Sequence, residues 1–193
     1  MEFETHSNRQ IGVGLIAFGL SGRIFHAPFL VTNPKFKLVA VYERSKSESL
    51  EFAAKHDLSI DLVRSETELV NRDDIELVVV CSPIEFHYEH ARLALLAGKH
   101  VLVEKAFCAS SVEVEWLLEL AQKKGLICTP YQNRRYDSDF LTIQKVLKQL
   151  GPITEYNGYF NRYNPMVRDN WKDNVPDSGG NFLSLGSHMI DQA

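Results

Sequence analysis

The sequence has few cysteines, and their pattern excludes two kinds of site. The three cysteines, Cys81, Cys108 and Cys128, are widely spaced and odd in number, which argues against a disulfide framework and against a cysteine-based metal site. Their apolar surroundings predict reduced thiols in the core of a cytosolic protein. We therefore expect no bound metal and a cytoplasmic location.

The sequence also lacks a basic block and a long apolar run. Its 193 residues carry 25 acidic and 21 basic side chains, for a formal net charge of -4, without a basic cluster. This balance predicts no binding to nucleic acid and favours a small-molecule partner. No run approaches the ~20 apolar residues of a membrane span, and the polar first ten residues lack the apolar core of a signal peptide. We therefore expect no membrane partner.

A glycine-rich turn near the N-terminus organises the chain. An apolar run ends at Ile16 and is followed by Ala17-x-Gly19-x-x-Gly22, which predicts a strand, a turn and then a helix. Gly19 would let the backbone approach a pyrophosphate, and Gly22 would let the helix pack close to the strand. Because Ala17 replaces the first glycine of the pattern, we expect either a negative φ there or a slightly displaced loop. Alone, such a turn also fits an α/β protein that binds no dinucleotide.

Strand patterns alternate with helical patterns over the first 130 residues. Helical patterns are predicted at 47–56, from 65, at 84–98 and at 112–124, the last with Ser110 or Ser111 as its N-cap and Gly125 at its end. This alternation predicts an α/β fold with a doubly wound parallel sheet, in which ligands lie beyond the carboxyl ends of the strands. The predicted strands are 11–16, 36–42, 61–63, 76–81, 100–103 and 126–130.

Polar residues follow several of these strands. Glu43 and Arg44 follow the second strand, roughly 20 residues past the glycine turn, where a ribose-binding residue is expected. A carboxylate there accepts hydrogen bonds from ribose hydroxyls, whereas an arginine can pair with a 2′-phosphate. The two residues thus point to NAD and to NADP respectively, and a solvated strand end would also carry such residues. Ser82, Glu104 and Lys105 follow two further strand ends.

A turn at Gly151-Pro152 marks the predicted domain boundary. We assign residues 1–150 to the dinucleotide-binding domain and residues 151–193 to the beginning of a second, incomplete domain. An amphipathic helix is predicted at 140–150 before the turn. After it, we expect the first strand of a new sheet at 153–163, a loop at 164–180 and the start of a helix at 182–193.

Several motifs, in order and spacing, resemble those of the Gfo/Idh/MocA family of nicotinamide-dependent sugar and inositol dehydrogenases, and within it the scyllo-inositol dehydrogenases. The motifs span nearly all of the chain from Ile11 onward. They are Gly19-Leu20-Ser21-Gly22-Arg23-Ile24-Phe25-His26-Ala27-Pro28-Phe29, Pro83-x-x-x-His87, Ala97-Gly98-Lys99-His100-Val101-Leu102-Val103-Glu104-Lys105, Asn133-Arg134-Arg135, Asn161-Arg162-Tyr163 and Leu185-Gly186-Ser187-His188-x-Ile190-Asp191.

The resemblance implies a Rossmann domain followed by an α/β domain with an open sheet, with the substrate in the cleft between them. It implies NAD or NADP as the cofactor, and a hydride transferred between nicotinamide and a ring alcohol or ketone of a sugar or inositol. It also implies a homo-oligomer for a full-length form. Because family members are typically longer than this chain, we expect most of the second sheet to be missing and the chain alone to turn over substrate poorly.

The resemblance also assigns roles to individual residues. Lys105 and His188 match the family's catalytic residues, with His188 as a base of near-neutral pKa and Lys105 as a cation that stabilises an alkoxide. The residues assigned to substrate binding are Lys105, Asn133, Arg162, Ser184 and His188. Those assigned to cofactor binding are Phe18, Gly19, Leu20, Ser21, Gly22, Glu43, Arg44, Ser82, Pro83, His87 and Glu104.

Three residues depart from the family pattern. Ala17 replaces a glycine, Ala106 replaces the proline that aims the catalytic lysine, and Ser184 stands where the family has an aspartate. These departures favour an alternative, a non-catalytic nucleotide-sensing or regulatory protein on the same fold. The retained catalytic and substrate-contact residues favour the enzyme.

Overall fold

The computed structural model describes residues 9–161, 163, 165, 180 and 182–193. Its centre is a six-stranded parallel sheet of order β3-β2-β1-β4-β5-β6. The strand order reverses between β1 and β4, which is the arrangement of a doubly wound sheet and confirms the predicted α/β class. The strands are β1 (Ile11–Ile16), β2 (Phe36–Tyr42), β3 (Asp61–Val63), β4 (Leu77–Val80), β5 (His100–Val103) and β6 (Cys128–Pro130).

Helices connect the strands, as the alternating pattern predicts. Ser110 and Glu113 form a capping box at the start of α5, and Gly125 ends this helix with a φ of 67°. No helix in the described part of the chain combines the length and apolarity needed to cross a membrane. The α-helices are α1 (Ala27–Thr32), α2 (Glu48–Lys55), α3 (Glu66–Val70), α4 (His87–Leu96), α5 (Ser111–Lys124), α6 (Ser138–Leu147) and α7 (Ser187–Gln192). A π-helical turn (Gly22–His26) precedes α1, a second one (Phe182–Gly186) precedes α7, and 3-10 turns lie at Ile84–Phe86 and Asn133–Tyr136.

Both faces of the sheet are covered. In β4, Val78 and Val80 lie in an apolar cluster with Leu95 of α4 and Leu117 of α5. The intervening Val79 lies in a second apolar cluster, which contains residues of α1 and α2. Neighbouring side chains of a strand point to opposite faces, so an uninterrupted apolar run is the pattern of a strand buried on both sides.

The cysteines occupy the core positions that the sequence predicts. Cys81 and Cys108 are buried and Cys128 is half-buried. Burial raises the pKa of Cys108 to about 12 and that of Cys128 to about 11. Both side chains are therefore thiols at neutral pH.

The segment after α6 departs from the prediction. The described residues from 151 to 163 have no regular secondary structure, so the strand expected at 153–163 is not formed. A strand needs a neighbouring strand to pair its backbone N–H and C=O groups, and the described residues provide none beside this segment. Arg162 and most of the loop expected at 164–180 lie outside the described residues. The helix predicted from 182 is present as the second π-helical turn and α7.

Candidate active site

The candidate site lies at the carboxyl ends of β1 and β4, where the strand order reverses. Ser21 Oγ donates a hydrogen bond of 3.4 Å to the carbonyl oxygen of Cys81, which joins the turn after β1 to the residue after β4. In a doubly wound sheet this edge forms the crevice in which ligands bind. The fold therefore brings the glycine-rich turn to the end of the strand that leads into Ser82.

The turn after β1 keeps its glycine-type geometry although it begins with an alanine. Ala17 has a φ of 74°, which excludes a negative φ, one of the two alternatives expected for this residue. A Cβ at Gly22 would lie 2.9 Å from the carbonyl oxygen of Ala17, so glycine allows the close approach of the helix. A Cβ at Gly19 would meet no atom within 4 Å. This open space beside the backbone of the turn fits a pyrophosphate group.

The neighbours of these glycines have different surroundings. The Phe18 ring is buried and contacts Phe52 edge-on, with ring centroids 5.6 Å apart. Leu20 is largely exposed, whereas Ser82 is buried and Pro83 half-buried. Phe18 therefore anchors the turn in the apolar core, whereas the Leu20 side chain faces solvent.

Glu43 is buried and its carboxylate is engaged within the protein. Its Oε1 accepts a hydrogen bond from the backbone N–H of Glu48 at 3.1 Å, and its Oε2 accepts one from the backbone N–H of Ser49 at 2.9 Å. The Ser49 hydroxyl also donates to Oε2. Glu43 thus binds the N-terminus of α2 and is not a solvated strand end, while Arg44 is exposed.

His87 is buried and joins two strand ends. Its Nε2 lies 2.8 Å from the carbonyl oxygen of Ser82, and its Nδ1 lies 2.8 Å from that of Ala106. Both ring nitrogens therefore face backbone oxygens of the protein. The contact that His87 is expected to make with a cofactor stays a prediction, and the contacts in the structure hold the loop after β5 to the loop after β4.

Glu104 forms a buried pair that sequence reasoning missed. Its Oε1 lies 2.8 Å from Nε2 of His26, and both side chains are buried. The His26 ring packs against Tyr131 with centroids 4.3 Å apart. The backbone N–H of Lys105 donates to Glu104 Oε2 at 3.2 Å. The available signal was the position of His26 inside the first family-like motif, but the sequence does not show that this residue meets Glu104.

Lys105, Ser184 and His188 come together beside this pair. Lys105 Nζ donates a hydrogen bond of 2.6 Å to the carbonyl oxygen of Ser184, and the peptide bond between Lys105 and Ala106 is cis. His188 is buried at the start of α7. Among the described residues, its Nδ1 has no hydrogen-bond partner.

The surroundings of His188 disfavour its protonated form. Burial lowers the pKa of His188 to about 4, and the charges of Lys105 and Arg134 add to this effect. The carboxylates of Glu104 and Asp137 oppose it but do not offset it. The pKa of His188 therefore lies well below the near-neutral value that suits a general base, and the sequence does not reveal this because it does not show how deeply the imidazole is buried among cations.

A bidentate ion pair fastens α7 to the 3-10 turn that begins with Asn133. Arg135 donates to Asp191 from Nε at 2.8 Å and from Nη2 at 2.6 Å. Gln192 Nε2 also donates to the carbonyl oxygen of Arg134 at 3.1 Å. These contacts hold α7, which contains His188, against the turn that contains the half-buried Asn133, and sequence reasoning did not predict them.

The comparisons with known proteins agree with this geometry. Over residues 11–132 the chain matches the GFO_IDH_MocA family, described as an oxidoreductase family with an NAD-binding Rossmann fold. It is 38% identical to the scyllo-inositol 2-dehydrogenase (NADP(+)) IolW of Bacillus subtilis, over 94% of this chain and 50% of that protein. It is 39% identical to an uncharacterized oxidoreductase of Schizosaccharomyces pombe, over 95% of this chain and 50% of that protein. The chain thus spans about half the length of these relatives.

A solved structure has the same architecture. The crystal structure of an oxidoreductase from Bacillus cereus matches with a TM-score of 0.83 and 35% identity, over 95% of this chain and 52% of that one. The strand order, the glycine-rich turn and the identity to these relatives lead to one assignment. The chain belongs to the Gfo/Idh/MocA family of oxidoreductases with an NAD-binding Rossmann fold.

Proposed function

We propose that this chain is the cofactor-binding part of an NAD(P)-dependent dehydrogenase that transfers a hydride between nicotinamide and a ring alcohol or ketone of a sugar or inositol. The observation that carries the proposal is the convergence of Lys105 and His188 at the sheet edge that holds the glycine-rich turn. The inositol in the name of IolW supports the substrate class. Residues 151–193 would begin the substrate domain, and a full-length form would be a homo-oligomer.

The residues that would hold the cofactor lie along the edge of the sheet formed by the carboxyl ends of the strands. The turn from Gly19 to Gly22 would bind the pyrophosphate, and the exposed Arg44 would pair with a 2′-phosphate. Because the carboxylate of Glu43 is already bound by two backbone N–H groups and a hydroxyl, we propose that Arg44 and not Glu43 sets the preference between the cofactors. We therefore propose that both NAD and NADP bind and that NADP binds more tightly. When bound, nicotinamide supplies the hydride acceptor or donor.

The protein groups that would act on the substrate are a cation and an imidazole. Lys105 Nζ carries a positive charge that would stabilise an alkoxide as it forms. His188 is neutral at pH 7, since its pKa is about 4, and Nδ1 would accept the proton of a substrate hydroxyl. Glu104 and His26 would keep the backbone of Lys105 in place.

One observation favours the alternative of a nucleotide-sensing or regulatory protein. An imidazole of pKa about 4 is a weak base, and Ser184 contributes a carbonyl contact to Lys105 where the family has a carboxylate that would raise the pKa of the histidine. Such a protein would keep the cofactor site but would not catalyse turnover at a useful rate.

Calorimetric titration with NADPH and NADH tests the cofactor site. Gly19→Ala adds a methyl group into the open space of the turn, so we expect normal folding and at least a tenfold loss of affinity. Gly151→Ala is the matched control, because a Cβ there also meets no atom within 4 Å and the residue follows α6, outside the turn. Equal affinities of the wild type and Gly19→Ala, or no binding by a folded wild type, would contradict the proposed site.

Steady-state assays separate the enzyme from the sensor. A form extended to the length of the relatives is assayed with inositols and sugars in the presence of NAD or NADP, alongside Lys105→Met and His188→Phe. The enzyme proposal predicts turnover that both variants reduce at least 100-fold with little change in cofactor affinity. Cofactor binding without turnover of any polyol would favour the sensor. Light scattering on the same form tests the proposed homo-oligomer.

A further inference from the structure

Ser82 at the end of β4 is hydrogen-bonded to a histidine that has no role in the proposed chemistry. Its Oγ lies 2.9 Å from Nδ1 of His90, which lies on α4. Ser82 is buried except for 9% of its surface, and it occupies the sheet edge beside the glycine-rich turn. The direction of the Ser82 hydroxyl proton therefore depends on the protonation of His90.

Glu66 determines which nitrogen of His90 carries the proton. Nε2 of His90 lies 3.6 Å from Oε1 of Glu66, which is longer than a hydrogen bond but close enough for a strong electrostatic preference. An N–H group facing a carboxylate is attracted, whereas a nitrogen lone pair is repelled. In the neutral ring the proton thus lies on Nε2, and Nδ1 is left as an acceptor.

The charges around this pair keep it in that form. Burial would raise the pKa of Glu66, but hydrogen bonds from its own backbone and from Tyr42, together with His90, hold it below its usual value. Burial lowers the pKa of His90, and His87 adds to this, although Glu66 and Glu89 act in the opposite direction. At neutral pH a carboxylate therefore faces a neutral imidazole.

We propose that Glu66 and His90 orient the Ser82 hydroxyl so that it donates inward to His90 and presents its oxygen outward as a hydrogen-bond acceptor for a ligand hydroxyl. The inference rests on the proposed function, in which the ligand at this edge is a dinucleotide and its hydroxyls belong to ribose. His90 is a positioning residue, since it acts through Ser82. A phosphate oxygen accepts hydrogen bonds and offers no donor, so Ser82 selects a ribose and not a phosphate.

The proposal also gives a direction for pH dependence. Protonation of His90 places a hydrogen on Nδ1, which then donates to Ser82 Oγ and turns the hydroxyl proton outward. The hydroxyl then donates outward, where a phosphate oxygen is as good a partner as a ribose hydroxyl. The preference for the ribose hydroxyl is therefore lost as the pH drops through the pKa of His90. Because that pKa is lowered, the loss lies below the range of an ordinary histidine.

Two measurements test the proposal on the intact chain. Long-range 1H–15N NMR of the histidine rings reports the tautomer of His90 without any ligand, and we expect the Nε2–H form. Calorimetry with NADPH and with inorganic pyrophosphate compares a ligand that has ribose hydroxyls with one that has none. Ser82→Ala and His90→Phe should each weaken NADPH binding about tenfold, as expected for the loss of one hydrogen bond, and should leave pyrophosphate binding unchanged.

Further variants sharpen the test. Glu66→Gln can donate its amide N–H to Nε2, so we expect the NMR spectrum of this variant to show the ring proton of His90 on Nδ1. The double variant Ser82→Ala/His90→Phe should bind NADPH no more weakly than either single variant, because both act through one hydroxyl. His56→Phe, on an exposed residue at the end of α2, is the matched control and should change nothing.

Each outcome supports or overturns the proposal. An Nδ1–H tautomer in the wild type, unchanged NADPH affinity in Ser82→Ala, or an equal loss for pyrophosphate and NADPH in His90→Phe would overturn it. The last result would mean that His90 only maintains the fold of this edge. If the folded wild type binds neither ligand, the proposed function fails; an Nδ1–H tautomer with intact NADPH binding overturns this inference alone.

Discussion

The ammonium group of Lys105 lies 2.6 Å from the carbonyl oxygen of Ser184, across 79 residues of sequence. Lys105 follows β5, and Ser184 belongs to the π-helical turn that leads into α7. This contact places the positive charge beside the imidazole of His188, where the charge lowers the histidine pKa. The lysine and the histidine therefore influence each other before any substrate is present.

We expect Lys105→Gln to raise the pKa of His188 from about 4 toward its usual value, because the substitution removes a neighbouring cation and leaves the burial unchanged. NMR titration of the His188 ring measures the midpoint. Lys99→Gln is the matched control, since Lys99 Nζ binds the carbonyl oxygens of Arg72 and Ile75 and does not act on His188. An unchanged midpoint in Lys105→Gln would show that the charge of Lys105 does not contribute to the lowered pKa.

The lowered pKa of His188 also predicts how stability depends on pH. An unfolded histidine gains a proton near pH ~6.5, whereas the folded His188 gains one only near pH 4. Between these values the unfolded state binds more protons, so the free energy of unfolding decreases as the pH falls from ~6.5 to 4. Urea denaturation at several pH values should show a smaller decrease for His188→Phe than for the wild type. The exposed residue His56 provides the control His56→Phe, and equal slopes for all three proteins would contradict the burial of His188.

Glu43→Gln should destabilise the protein without changing the preference between cofactors. The amide of glutamine has one acceptor oxygen, so its NH2 group would face one of the donors at the start of α2. We expect a loss of about 1–3 kcal/mol in the free energy of unfolding, measured in urea. Glu51→Gln is the matched control on an exposed position of the same helix and should change stability little. A change in the ratio of NADP to NAD affinity without destabilisation would instead mean that Glu43 contacts the ribose.

Ala17→Gly should stabilise the protein by about 0.5–1 kcal/mol. Ala17 has a φ of 74°, a conformation that costs an L-residue more than it costs glycine. Ala54→Gly is the control at an exposed position inside α2, where the backbone is helical and alanine is preferred to glycine. It should destabilise the protein by a similar amount. Thermal unfolding of both variants measures the two effects. If Ala17→Gly destabilises as Ala54→Gly does, the left-handed conformation at residue 17 is wrong.

The sequence by itself determined the features that follow from local rules. Continuous apolar runs predict strands covered on both faces, and Val78, Val79 and Val80 divide between the two apolar clusters as that pattern requires. Ser110, Glu113 and Gly125 mark the ends of α5 because capping depends on a few adjacent residues. The strand predicted at 153–163 is wrong, because this strand-like pattern has no neighbouring strand among the described residues with which to pair.

Only the tertiary structure decided which distant side chains meet. His26 and Glu104 are 78 residues apart and Arg135 and Asp191 are 56 apart, yet each pair makes a direct contact. Neither hydrophobic periodicity nor the conformational propensity of the residues predicts such pairings, because they arise when strand ends and helix ends meet at one edge of the sheet. The same reason explains the contacts of the Glu43 carboxylate with the N–H groups of Glu48 and Ser49 at the start of α2, while its expected contact with ribose stays a prediction. Burial and neighbouring charge, which set the pKa of His188, likewise exist only once the chain has folded.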